Sequence, residues 1–342
     1  MAESANFRTK IFKKFALLAL FALGMPFAAI AQTDYPTKPV KIIVPFPPGG
    51  TSDVMARMIA DELTKSLKQP FLVENIGGAG GVVGSERATR AANDGYTLLL
   101  TGVGSNAVAH GLNPKLTYDS TKDFIQISQI HSGPNVLVIH PSAPFTSFKG
   151  LIEYGKANPG KLNYGYTHAA SGHMAMELLK QTASACEPKQ KDCKGLFMVG
   201  IPYRGGGPMM TDLLGGQIPL MFINQDSALQ YVKSGKLKAI AVTSKERNPL
   251  YPDVPTIAEL GYPTFEALSW SGLSALKGTP QPIVDKLEAA VTTAMKSPAI
   301  KQRMEAVGFV VPEQGSKRYD AFVKSEVSRW TKVIHTAGIK PE

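Results

Sequence analysis

The sequence predicts an α/β fold, with sheets flanked by helices, and three observations carry that reading. One unit recurs along the chain: a short apolar strand, a loop of small residues, then an amphipathic helix. The 342 residues are 44% hydrophobic and 19% charged, enough to bury a sizeable core and too apolar for wholesale disorder. Only two cysteines are present, which rules out a zinc ribbon, an iron–sulfur cluster or a disulfide scaffold. Alternation of strands and helices further predicts mostly parallel sheets.

The chain opens on a secretory signal over residues 1–31. Arg8, Lys10, Lys13 and Lys14 form a basic head, an uncharged apolar run covers 15–25, and Ala29-Ile30-Ala31 is a cleavage site. The run is too short to span a bilayer, and no cysteine follows the cut to take a lipid anchor. The mature chain is expected to begin at Gln32, in a bacterial periplasm. In that oxidising compartment Cys186 and Cys193 are expected to pair, closing the polar stretch CEPKQKDC as a surface staple.

The first strand covers 40–46. PPGG follows, then a helix from about Ser52, capped by Thr51 or Ser52, with Asp53 in its first turn. Val54, Met58, Ile59, Leu63 and Leu67 lie at helical spacing and are expected to face the core. A strand at 71–74, a glycine-rich loop at 77–81 and a helix to about 92 form the second unit. Asp94-Gly95 turns the chain into a strand at 96–101, followed by the loop GVGSNA. The fourth unit runs from a strand at 162–166 through THAASG into a helix near His173. The fifth has a strand at 197–201, the loop PYRGGGP, a helix over 209–214 stopped by Gly215-Gly216, and a strand at 218–222. Four prolines make 244–263 an extended connection, which returns through a strand near 267–276 to helices at 281–296, 298–306 and 316–336.

Helix N-termini carry free backbone N–H groups and a partial positive charge, and small residues let an anion approach them. The loops at 45–53 and 167–173 combine small residues with hydroxyls at a helix start, so they are the leading candidates for an anion site. A net charge of +10 and a pI of about 9.4 also favour anionic partners. Enzyme signatures are weak. GGAGGVVG places Val83 where a dinucleotide fingerprint needs its third glycine, and neither a P-loop nor a nucleophile elbow is present. His173 and Glu177 share a helix face near His168, but that pattern is more often structural than metal-binding. No metal, cofactor or catalytic residue is expected. The basic residues are scattered, which argues against nucleic acid.

YPTKPVKIIVPFPPGGTSD, ENIGGAGGVVG, NDGYTLLL, YRGGGPMMTDLLGGQI, SGKLKAIAVTS and YPDVPTIAELGYP, in this order and spacing, are similar to a known family. The chain resembles the substrate-binding receptors of tripartite tricarboxylate transporters, also called Bug receptors, over essentially its whole mature length. The resemblance implies a periplasmic-binding-protein fold of type II, with a ligand cleft at a hinge between two lobes. Lobe one is expected to hold 34–133 and 245–342, and lobe two 134–244. It implies that a small di- or tricarboxylate, aromatic acids included, is gripped by backbone groups and ordered waters at Pro48, Gly49, Gly50 and Thr51 and at Ala169, Ala170, Ser171 and Gly172, in the loop from Thr167 to His173. Ser105 and Asn106 match a third cleft loop, Tyr203-Arg204 match a Tyr-basic-Gly element, and Asn224 ends an MF-x-N segment. Relatives often carry an Asp at the position of Ile223, where it can meet an ammonium, so its absence points away from amino-acid ligands. The Cys186–Cys193 insertion is a second departure. The implied function is a monomeric, non-catalytic transport receptor that delivers its ligand to a membrane permease. The alternative is a sensor protein docking on a membrane kinase.

Overall fold

Nine strands frame the computed structural model, which describes residues 34–184 and 195–339. The expected signal segment and the expected Cys186–Cys193 pair lie outside the described residues. The strands are β1 (Val40–Val44), β2 (Phe71–Asn75), β3 (Thr97–Gly102), β4 (Phe124–Ile139), β5 (Asn163–Thr167), β6 (Val199–Tyr203), β7 (Leu220–Asn224), β8 (Lys238–Val242) and β9 (Leu268–Leu276). The helices are α1 (Thr51–Leu67), α2 (Val82–Thr89), α3 (Ala109–Leu112), α4 (Phe148–Ala157), α5 (Ser171–Ala183), α6 (Gly206–Leu214), α7 (Gln225–Lys233), α8 (Gln281–Lys296), α9 (Pro298–Ala306) and α10 (Ser316–Ala337).

The strand order is β2-β1-β3-β9-β4-β7-β5-β6, with β8 also on β4. Parallel ladders form as expected, within a sheet that is mixed. β1 pairs in parallel with β2 and β3, and β5 with β6 and β7, but β9 is antiparallel to β3 and β4, and β4 is antiparallel to β7 and β8. The cause is the long strand β4. Its first part, through Pro134, pairs with β9, and from Asn135 it pairs with β7, so one antiparallel strand serves both halves of a curled mixed sheet. The chain from Tyr35 onward packs as one unit.

Helix α1 begins where expected but presents a different face. Met55, Ala56, Met58, Ile59, Ala60 and Leu63 are buried together with Asp53, whereas Val54 is 48% exposed. The expectation for Val54 therefore fails, because Asp53 points inward to fold the preceding loop. That face of α1 packs with α8 over β1 and β3, through Leu98, Leu100, Leu287 and Val291. On the other half, Met209, Met210 and Leu213 of α6 pack with Val136, Val138 and Met221. The C-terminal helix α10 bridges the halves, sharing a cluster with Trp270 and with Met174 and Leu179 of α5. The expected loop GVGSNA is instead a buried π-type turn over Gly104–Val108, continuing into α3.

Candidate ligand-binding site

Three helices start at the carboxyl ends of strands β1, β5 and β7, and none has a side-chain cap. Gly50 precedes α1, Ala170 precedes α5 and Asn224 precedes α7, each in extended or non-helical backbone and none hydrogen-bonding its own first turn. The first N–H groups of α1 and α5 thus lack intrahelical acceptors. A chain of side-chain hydrogen bonds ties the three starts together. Asn224 Nδ2 donates to Thr51 Oγ1 at 2.9 Å, while Ser171 Oγ donates toward Asn224 Oδ1 at 3.2 Å and Asn135 Oδ1 at 3.0 Å. Thr51 and Ser171, far apart in sequence, are therefore held by the same amide. Thr51 Oγ1 donates in turn to Asp226, at 3.1 and 2.9 Å from its two carboxylate oxygens.

Asp53 shapes the first loop. Its carboxylate accepts from the Gly49 N–H at 3.0 Å, from Asn75 Nδ2 at 2.9 Å and from Arg57 Nε at 3.1 Å. Gly49 sits at φ +83, and its N–H is spent on Asp53, while Pro48 has none to give. The donors left in this loop are those of Gly50 and the first turn of α1. Burial pushes the Asp53 carboxyl upward, but Arg57, Gly49 and Asn75 outweigh it and hold the group below its ordinary range.

The glycine-rich loop and the π-type turn close against the second loop. Gly80 has a positive φ of 64, and a Cβ there would stand 2.6 Å from the Ala169 methyl and 3.4 Å from the His168 carbonyl. Ala169 itself adopts φ +57, a strained value for a residue with a side chain. The Ala169 N–H donates to His173 Nδ1 at 3.3 Å, and the His173 ring stacks on Tyr166 at 4.3 Å, so His173 holds the loop's shape. Thr167 Oγ1 is buried in the same loop with no hydrogen-bond partner.

Other expected site residues are engaged elsewhere. Asn106 is fully buried; its carbonyl accepts from the Gly102 N–H at 3.1 Å and from Ser105 Oγ at 2.6 Å, and its amide donates to Ser120 Oγ at 3.1 Å. It braces the turn from behind. Tyr203 donates to Asp212 Oδ2 at 2.7 Å, within its own strand–helix unit, and Arg204 is exposed. A Cβ on Gly172 would stand 2.4 Å from the Phe222 carbonyl, so this glycine lets α5 lie close on β7. Ile223 is buried with Met209 and Val136. Sequence reasoning missed Asn135, hidden within a long apolar strand, and Asp226, two residues after Asn224. A surface hollow of about 450 Å³ beside His110, Tyr118, Asp119 and Asp123 shares no residue with these loops. Its Asp119 carboxylate is already taken up by Thr121 and Lys122.

The arrangement gathers helix N-termini from both halves of the sheet, and the free backbone N–H groups at those starts suit an anion. Residues 55–339 match the model of the tripartite tricarboxylate transporter family receptor. The chain belongs to that receptor family. It is 36% identical over 328 residues to the protein BugT of Bordetella pertussis, covering 95% of this chain and 97% of that one. Among solved receptors, an R. palustris protein with adipate superposes with a TM-score of 0.82 at 32% identity, covering 90% of this chain and all (100%) of the other. MatC from Rhodopseudomonas palustris, with bound malate, superposes with a TM-score of 0.80 at 32% identity, covering 88% and 100%. The fold is likewise that of the periplasmic binding protein BugD, which superposes with a TM-score of 0.80 at 34% identity, covering 90% of this chain and 100% of the other.

Proposed function

We propose that this receptor captures a small di- or tricarboxylate, aromatic acids included, in the periplasm. It then delivers that acid to the membrane permease of a tripartite tricarboxylate transporter. The observation that carries the reading is the meeting of the uncapped starts of α1 and α5 at Thr51, Asn224 and Ser171. Carboxylate oxygens accept several hydrogen bonds at once, and helix N-termini supply donors without a counter-charge. The adipate and malate of its structural neighbours support the same ligand class.

A thermal-shift screen of mono-, di- and tricarboxylates, followed by calorimetric titration of each hit, tests it. Ser171→Ala removes the hydroxyl that holds Asn224 and Asn135 at the start of α5, and is expected to weaken binding about tenfold by loosening the helix starts that grip the acid. Gly50→Val is the sharper probe. A Cβ at Gly50 meets nothing closer than the Pro47 carbonyl at 3.9 Å, so the variant folds while its branched side chain crowds the loop. It is expected to lose at least as much affinity as Ser171→Ala. Full affinity in both folded variants would place the site elsewhere. Binding only of sugars or cations would sink the carboxylate reading.

A further inference from the structure

We propose that Asp226 sets the charge selectivity of the Thr51 end of this cleft. It accepts a hydrogen-bond donor carried by the ligand and disfavours a second carboxylate there. The inference rests on the carboxylate-receptor reading above and deepens it.

Thr51 is the hydroxyl at the start of α1, and both Asp226 oxygens lie within 3.1 Å of its Oγ1. A hydroxyl has one proton to give. That proton is committed to Asp226, and Thr51 already accepts from Asn224 Nδ2 at 2.9 Å. Thr51 therefore has no proton left for a ligand carboxylate while Asp226 holds it. A protein carboxylate thus stands beside the hydroxyl that opens α1.

Asp226 also has no counter-charge. Among the described residues no Lys, Arg or His forms an ion pair with it, in contrast to Asp53, which Arg57 holds at 3.0 Å. The backbone N–H groups of Ser227 and of Asp226 itself help to hold the carboxylate. Its nearby phenol, Tyr251, donates instead to the Gln225 carbonyl at 2.6 Å. An ionised carboxylate accepts only and offers about four lone-pair sites, so acceptor capacity remains. The group is partly exposed at the meeting point of α1 and α7, beside the hydroxyl that opens α1. A hydroxyl or an ammonium satisfies that acceptor. A carboxylate opposite it brings two like charges together in a poorly solvated place, which disfavours both being ionised.

The test compares three acids on one carbon skeleton, succinate, malate and aspartate, by calorimetry against wild type and Asp226→Asn. Asparagine keeps an acceptor for Thr51 and removes the charge. Wild type is expected to prefer malate or aspartate to succinate. In Asp226→Asn that preference should fall about tenfold or more, mainly through tighter succinate binding and weaker binding of the donor-bearing acid. A larger fall for aspartate identifies an ammonium as the preferred donor, and a larger fall for malate a hydroxyl. If a longer acid from the screen binds where these three do not, the same comparison uses that acid with its 2-hydroxy and 2-amino derivatives. An unchanged preference ratio in folded Asp226→Asn, or a wild type that favours the bare diacid, overturns the inference and leaves the receptor reading standing. Failure of every carboxylate to bind either protein removes both.

Discussion

Asp53 and Asp226 both sit in the first turn of a helix that opens at the site, yet their surroundings drive them in opposite directions. For Asp53, burial raises the pKa, but hydrogen bonds from Arg57, Gly49 and Asn75 overcome it and the group ends below its ordinary 3.8. For Asp226, burial wins over the bonds from Thr51, Ser227 and its own N–H, and the group ends above 3.8. The consequences for stability have opposite sign. Asp53 stabilises the fold above the ordinary carboxylate pKa, and that contribution is lost as pH falls through its lowered value. Asp226 costs stability at neutral pH, and the cost is relieved as pH falls through its raised value. Asp53→Asn is therefore expected to lower Tm at pH 7, with the deficit shrinking in acid. Asp226→Asn should raise Tm at pH 7, with the advantage shrinking on acidification. Thermal unfolding from pH 7 to pH 3 checks both, and variants that shift Tm in the same direction at pH 7 would contradict the assignment. A carboxylate kept at a cost to its own fold fits the ligand role proposed for Asp226, a trade of stability for function.

Helix α10 shows how one element holds the two halves of the sheet. Its Glu326 is buried and accepts from Trp270 Nε1 at 2.8 Å and Trp330 Nε1 at 3.0 Å through a single oxygen. Arg329 bonds the other oxygen at 3.2 Å and also donates to the Glu266 carbonyl. Truncation leaves two buried indole N–H groups without an acceptor. Glu326→Ala is expected to cost about 2–5 kcal/mol, and Glu326→Gln, which keeps an acceptor, less. Urea unfolding of both variants measures this, and equal losses would show that packing alone is at stake. That helix was readable from the sequence because its apolar spacing is regular, as were α8 and α9. β4 was not readable. Its burial runs almost unbroken, because it is sandwiched in two sheets at once, so no alternation marks a strand. Thr51 and Ser171 were legible as hydroxyls at helix starts, and the structure brings both to one amide, that of Asn224. Asn135 and Asp226 were not legible, since their roles come from a pairing switch on β4 and a contact between distant helices, neither of which leaves a local signature.

The molecule as a whole is organised by that switch. β4 leaves β9 at Pro134 and takes β7 at Asn135, and the residue at the crossing, Asn135, is the one that Ser171 bonds. We propose that the halves act as two lobes, one holding 34–133 with 245–342 and the other 134–244, closing on the ligand between them. The Asn224–Thr51 and Asp226–Thr51 hydrogen bonds cross from one proposed lobe to the other, so opening the cleft must break them. A ligand that bonds both helix starts adds its own binding energy to that opening, RT ln(1 + [L]/Kd), or about 2.7 kcal/mol at a hundredfold excess over Kd. Amide exchange that proceeds through cleft opening should then slow by up to about a hundredfold. The expected pattern is protection at 49–54 and at 169–174 and 224–228 together, on both sides of the crossing, with the inner strands β1 and β5 little changed. Hydrogen exchange read by mass spectrometry, with and without the tightest-binding acid from the screen, gives the answer. Protection confined to one side of residue 134 would mean that the ligand is held by a single half and that closure plays no part in its capture.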